Sequence, residues 1–240
     1  MFTRTCMTVG SSSYTTGLFL VPIEAARSVV PDDYFRVAEI FPEKAVFFIG
    51  TGEFRESDLG PYREMYVGFY TENRERDEPA TLESNKAEFE RNESKMYMWK
   101  NWVNTPAAVE KMDRVGSTVF RLGKVELDRS GDDAVFSMSH ETEGSIRFEA
   151  PTRSDLVQSD FPMTRTHYGR LHDQPSRCQL NLEIDSMVTS PGKGQLVLEG
   201  EIARECEALD LPPQPIVTIW IEEMRFTMNK PLLLPGAETR

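Results

Sequence analysis

Apolar and polar residues alternate with a period of two over much of this chain, and stretches with the 3.6-residue repeat of an amphipathic helix are few. The alternation predicts strands at 13–23 (SYTTGLFLVPI), 35–41, 44–56, 62–70 and 95–105, then at 117–129, 133–141 and 144–150. Further strands are expected at 177–188, 194–203 and 215–228, the last being the longest apolar candidate. The turns between the middle strands, "SGDD" and "ETEG", carry the Gly and Asp residues that hairpins require. Two short helices are expected. One lies in "PIEAARSVVPDDY" (22–34), bracketed by Pro22 and Pro31; the other is "PAAVEKMDRVG" (106–116), with Pro106 in its first turn and Gly116 past its end. "RECEALDL" adds a helix-like turn, and the Pro-bounded stretch 151–176 reads as irregular.

Residues 71–94 break the pattern, being charged and almost free of large apolar side chains. They predict an exposed excursion or a solvated helix, serving either as a surface insertion or as a lid. Ten or more strands without regular strand–helix alternation argue against a doubly wound parallel sheet. The expected fold is therefore mainly β (α+β), an antiparallel closed or cone-like barrel with a few short helices, because closure removes exposed edges. All 240 residues are expected to form one such domain.

Composition narrows the function. A formal net charge of −12 argues against a nucleic-acid or anionic-membrane partner, since phosphate contacts need clustered Lys and Arg. No window approaches the roughly 18 apolar residues of a membrane span. The run "GLFLVPI" (17–23) is too short for a secretory signal. Cys6, Cys178 and Cys206 are far apart and lack the spacing of a zinc or redox motif. A cytoplasmic protein with free thiols is expected, with no metal or other cofactor.

The order of the segments, from "PIEAARSVVPDDY" through "FRESDLGPYREMYVGFY" and "PAAVEKMDRVG" into "STVFRLGKVEL", closing on "LDLPPQPIVTIWIEEMRF", resembles the acetoacetate decarboxylase-like superfamily. The resemblance reaches from about Tyr14 to about Phe226. Its motif-like part is a Gly-x-Tyr-x-Glu run, here Gly60-Pro61-Tyr62-Arg63-Glu64. It implies an antiparallel barrel or cone around a small-molecule pocket, a carbonyl or keto-acid substrate, and Glu64 as the active-site carboxylate, with Tyr62 beside it. A homo-oligomer is also expected.

Decarboxylases of that family attack a β-keto acid with a lysine whose pKa is depressed, and the protonated imine accepts the electrons released with carbon dioxide. The lysine normally follows the short helix in a Trp-Gly-x-Pro-Lys-like run. Here the corresponding stretch is "RVGSTVF" (114–120): aligned on Gly116, Val115 replaces the tryptophan, Thr118 the proline and Val119 the lysine. A shift of one position offers Phe120, and placement on "NTPAAV" offers Ala107 after Pro106; none can form an imine.

Other candidates come from residue chemistry. Lys100 lies between Trp99 and Trp102, where an aromatic wall could desolvate it enough to act as a relocated Schiff-base lysine; the plainer alternative is snorkelling or cation-π packing, and neighbouring Asn101 and Trp99 could equally line the pocket on the other face. "MTRTHYGRLHD" supplies Arg165 for an anionic group and His167 and His172 for proton transfer, although a polar surface loop has the same composition. Arg63 alternates with Glu64 and so should face away from it. Glu222 and Glu223 occupy opposite faces of the last strand, so that one should look inward, paired most simply with Arg225. Three functions remain: acid/base (enolate) chemistry of the lyase, dehydratase, cyclase or isomerase type without a Schiff base; a non-catalytic small-ligand-binding barrel; or imine chemistry with Lys100.

Overall fold

A computed structural model describes residues 4–30, 34–75, 78–115, 119–171 and 174–234. Seven strands close into a ring: β1 (Thr5–Pro22), β2 (Lys44–Ser57), β3 (Tyr62–Thr71), β4 (Lys95–Val103), β9 (Leu156–Leu171), β10 (Gln174–Pro191) and β12 (Val217–Asn229). Neighbours are antiparallel except at the β4–β9 seam, which is parallel and only three residue pairs long. Small strands β5 (Phe120–Leu122) and β13 (Leu232–Leu233) pair with β4 and β10. A second, four-stranded antiparallel sheet contains β6 (Lys124–Ser130), β7 (Asp133–His140), β8 (Gly144–Pro151) and β11 (Gln195–Glu199).

Period-two alternation divides the ring's side chains between two cores. Outward residues, including Phe19, Phe47, Phe69 and Trp102, bury against Phe136, Phe148 and Leu196 of the second sheet. Inward residues, including Met7, Phe54, Tyr62, Met224 and Phe226, form a separate interior cluster. The helix α3 (Pro106–Val115) contributes Ala108 and Met112 to that interior. The helices α1 (Ile23–Val29) and α4 (Glu201–Glu205) pack Ala26 and Ile202 into the outer core.

Four local expectations change. Residues 35–41 make only the isolated bridges Val37↔Thr71 and Phe41↔Lys44, because this apolar run is buried as a connection. The stretch 151–176 is mostly the long strand β9 and the start of β10: Pro162 and Pro175 take paired positions within these strands, opposite Glu183 and Arg170, and do not end them. The expected strand 194–203 ends at Glu199, and Gly200, at φ +79°, turns the chain into α4. Within 71–94, helix α2 (Leu82–Glu90) starts with a reciprocal Thr81–Ser84 capping box and docks through Phe89 onto Phe41 and Tyr70. It is thus packed on the body of the protein rather than solvated on all sides.

Candidate active site

The interior of the ring holds a cavity of about 110 Å³ bounded by residues from β1–β4, β9, β10, β12, α3 and β5. Glycines on β2 make its shape possible. Gly50 and Gly52 lie beside Tyr66 and Glu64 in the β2–β3 register. A Cβ on Gly50 would overlap the Tyr66 ring. Without one, the ring crosses β2 and its hydroxyl hydrogen-bonds that of Tyr14 on β1.

Glu64 lies on the inward face of β3, 7% exposed, and accepts a 2.8 Å hydrogen bond from Asn101 Nδ2 on β4. Burial pushes its carboxyl up to about 7, with the Asn101 bond pulling the other way. Tyr62, one turn of the alternation earlier, stacks on Phe54 with centroids 4.4 Å apart. Its buried hydroxyl has no partner among the described residues, and neither has Asn101 Oδ1. Burial, followed by the Glu64 charge, holds the Tyr62 hydroxyl well above its ordinary value.

Across the cavity, β9 presents Arg165 and His167. Burial pushes the His167 imidazole down to about 3, and the Arg165 guanidinium acts in the same direction, so the ring is neutral near pH 7. No carboxylate pairs with Arg165 among the described residues. The tyrosine pair lies electrostatically between the two groups. Burial pushes Tyr66 well above the usual phenol range, with Glu64 adding to the effect and Arg165 opposing it. Tyr14 is pushed up to about 12 by burial, against the Tyr66 bond and Arg165. Both phenols therefore remain protonated at neutral pH, and whichever accepts the shared bond keeps a proton to donate. The arrangement offers one titratable carboxyl, the free hydroxyl of the tyrosine pair with that of Tyr62, and one cation around a small apolar space.

The architecture has close parallels among solved structures. A solved acetoacetate decarboxylase is 11% identical, matching 99% of this chain and 93% of its own, at a TM-score of 0.67. The acetoacetate decarboxylase of Legionella pneumophila is 10% identical, over 96% and 88% of the two chains, at 0.66. The enduracididine biosynthesis enzyme MppR, solved with pyruvate, is 13% identical over 98% and 92%, at 0.65. The fold is acetoacetate decarboxylase-like. Neither protein-family models nor curated protein sequences match the chain.

Within this acetoacetate decarboxylase-like frame the expected site residues separate clearly. Glu64, Tyr62, Arg165 and His167 line one cavity. His172 lies outside the described residues, as do Gly116 and Thr118. Val119 is 62% exposed and does not line the cavity; Phe120 does, at 6% exposure, so the one-residue shift gives the inward position. Among the described residues no lysine lines the cavity.

Lys100 is buried on the opposite side of the wall. Its Nζ lies 3.3 Å from Glu143 Oε1 and 2.5 Å from Glu205 Oε2, and 5.2 Å from the centre of the Trp99 ring. The cause is a bulge: Met98 pairs with Gly68 and Lys100 with Val67, leaving Trp99 as the extra residue. Simple alternation from Met96 and Met98 would carry Lys100 inward; the bulge substitutes Asn101. Around Lys100, Trp102 Nε1 donates to Glu143 Oε2 at 2.5 Å, and Arg121 Nε approaches Oε1 at 3.3 Å. Burial pushes the Glu143 carboxyl up, but the Trp102 bond and the charges of Arg121 and Lys100 outweigh it and leave the group below its ordinary value.

Arg63 faces away from Glu64 and binds Glu53 at 2.7 and 2.9 Å, as its alternate position predicts. Glu222 and Glu223 correct the expectation for the last strand, since neither lines the cavity. The inward series on β12 runs Ile219, Ile221, Met224 and Phe226, and the step of three falls at these two residues. Opposite Ser12 and Tyr14, β12 carries an extra residue. Glu223 pairs with Arg55, and Glu222 lies 2.7 Å from Arg129. Arg225 instead reaches Asp185 at 2.9 Å. Asn101, expected as an alternative to Lys100, lines the cavity, and Trp99 does not. Sequence reasoning missed Tyr14 and Tyr66; the "GTG" at 50–52 was their local signal, since a glycine facing Tyr66 leaves room for a crossing ring.

Proposed function

We propose that this protein is an enzyme performing acid/base chemistry on a small carbonyl or keto-acid substrate without a Schiff base. The observation that carries the proposal is the Glu64 carboxyl, buried on a cavity wall with a hydrogen bond from Asn101, in a cavity that no lysine lines among the described residues; burial there pushes the carboxyl up to about 7. The acetoacetate decarboxylase-like fold and the pyruvate complex of a structural neighbour support the substrate class.

Arg165 holds the carboxylate of a keto acid, and the carbonyl oxygen receives the free O–H of the Tyr14–Tyr66 pair. Glu64, as carboxylate, takes a proton from the carbon next to the carbonyl. The C–H electron pair forms the C=C bond, and the carbonyl π pair moves onto oxygen. The hydroxyl donor stabilises that oxyanion in place of an imine's electron sink. Glu64 then returns the proton to a different carbon in isomerisation or delivers it to a leaving group in dehydration, and in cyclisation the enolate carbon attacks a second electrophilic centre of the substrate; in decarboxylation the C–CO2 bond supplies the electron pair instead, and Glu64, as the acid, protonates the resulting carbon. A pKa close to the working pH suits a group that must both take and give a proton.

Deuterium exchange tests the proposal. Short 2-oxo and 3-oxo acids in D₂O, followed by proton NMR, should lose C–H signal beside the carbonyl faster with the protein than in buffer. Glu64→Gln should abolish the difference, and borohydride should trap no adduct detectable by intact mass. Binding without exchange would favour a non-catalytic ligand-binding barrel; a trapped adduct would restore imine chemistry.

A further inference from the structure

Eight of the chain's eleven methionines line the cavity, a concentration that proton transfer alone does not require. They come from around the ring: Met7 on β1, Met98 on β4, Met163 on β9, Met187 on β10 and Met224 on β12 are among them. The distribution of polar groups is equally uneven. Glu64, Asn101, Tyr66, Tyr14 and Arg165 stand on β1, β3, β4 and β9. Every lining residue contributed by β10 and β12 is apolar except Cys178. Those two strands face the cavity as cross-strand pairs: Leu180 with Met228, Leu182 with Phe226, Ile184 with Met224 and Met187 with Ile221.

A three-carbon keto acid satisfies the polar side and leaves this wall with nothing to bury. Methionine is unbranched, has three rotatable side-chain bonds and a polarizable sulfur, and so adapts to chains or rings of different shape. At about 110 Å³ the cavity is already of the order of the ~150 Å³ apolar cavity that admits benzene, and methionine rotation can enlarge it. We infer that the ligand carries an apolar body, aliphatic or aromatic, beyond its keto-acid head, and that the apolar β10–β12 wall, with the methionines set around the ring, selects for that body. The placing of the head on Arg165 and Glu64 rests on the proposed function; the apolar selection rests on the wall.

The test is a homologous series of stable 2-oxo acids, namely pyruvate, 2-oxobutanoate, 2-oxohexanoate, 2-oxooctanoate and phenylpyruvate, with Kd measured by calorimetry on the full chain. Affinity should rise roughly three- to fourfold per added methylene until the cavity is filled, the factor expected for burying a CH₂ group. Arg165→Gln should weaken every member by a similar factor and leave that slope intact. In protein labelled with ¹³C at the methionine methyls, the long acids should shift the cavity signals. Met65 and Met138, in the outer core, should stay unmoved. Equal affinity for pyruvate and 2-oxooctanoate, no binding by any member, or shifts centred on Met65 and Met138 would overturn the inference. A normal slope without deuterium exchange would sink the catalytic proposal alone.

Discussion

Arg63 and Glu64 are adjacent in sequence and opposite in circumstance. The strand sends the guanidinium outward to Glu53 and the carboxyl inward, where little besides Asn101 stabilises its charge. Because the folded pKa of Glu64 is raised from 4.5 to about 7, its ionisation opposes folding. The unfolded chain releases the proton near pH 4.5 and the folded chain retains it until about pH 7, so stability falls across that interval, by about 3 kcal/mol for this group. Glu64→Gln should therefore stabilise the protein at pH 8 more than at pH 4, as read by urea denaturation at the two pH values. The same variant should lower turnover of a confirmed substrate by about 10²- to 10⁴-fold. The Gly-x-Tyr-x-Glu run made Glu64 and Tyr62 legible in advance. Val119 was legible only to within one residue, since a position after an irregular turn has no alternation to fix its face; Phe120 holds the inward place.

At the level of the element, strand periodicity carried the reading as far as strands stay regular. Arg165 and His167 share a face because β9 alternates without interruption between them. Bulges defeat the rule. Trp99 exchanges Lys100 for Asn101 at the cavity, and the irregularity at Glu222–Glu223 turns both carboxylates away. Neither bulged strand carries a glycine at its extra residue; Gly68, which faces the first bulge, lies on the partner strand, so nothing within β4 or β12 announces the irregularity. Gly50 and Gly52 are visible, but their meaning depends on the partner strand that supplies Tyr66. Gly50→Ala should force that ring aside, break the Tyr14–Tyr66 hydrogen bond and cost about 1–3 kcal/mol of stability in chemical denaturation. Gly60→Ala makes a control: nothing lies within 4 Å of its added Cβ, and its φ of +78° gives a backbone penalty without touching the tyrosines.

For the whole molecule, the ring and the second sheet are joined both by the outer core and by the buried Lys100 cluster. Lys100→Met would leave Glu143 and Glu205 without their shared ammonium, a loss of about 3 kcal/mol at neutral pH. That loss should shrink as acid protonates Glu143, and adding Glu143→Gln should recover part of it. Glu143 itself, held below its ordinary value, contributes stability that is present above its unfolded pKa and disappears as pH falls through the folded one. Closure of the ring rests on the short parallel β4–β9 seam, against thirteen paired positions between β1 and β2. Amides that face each other across the β4–β9 seam should accordingly exchange with deuterium before those between β1 and β2. The closed, mainly β architecture was readable from strand number and from the lack of strand–helix alternation. The parallel seam was not, because it joins segments about seventy residues apart by three pairs. Whether a proton-moving carboxyl lies inside that ring can be read from a ¹³C-carboxyl NMR titration of glutamate-labelled protein, with Glu64→Gln identifying the signal. The Glu64 midpoint should fall near pH 7; a Glu64 titrating near 4.5 would contradict its role as the proton carrier.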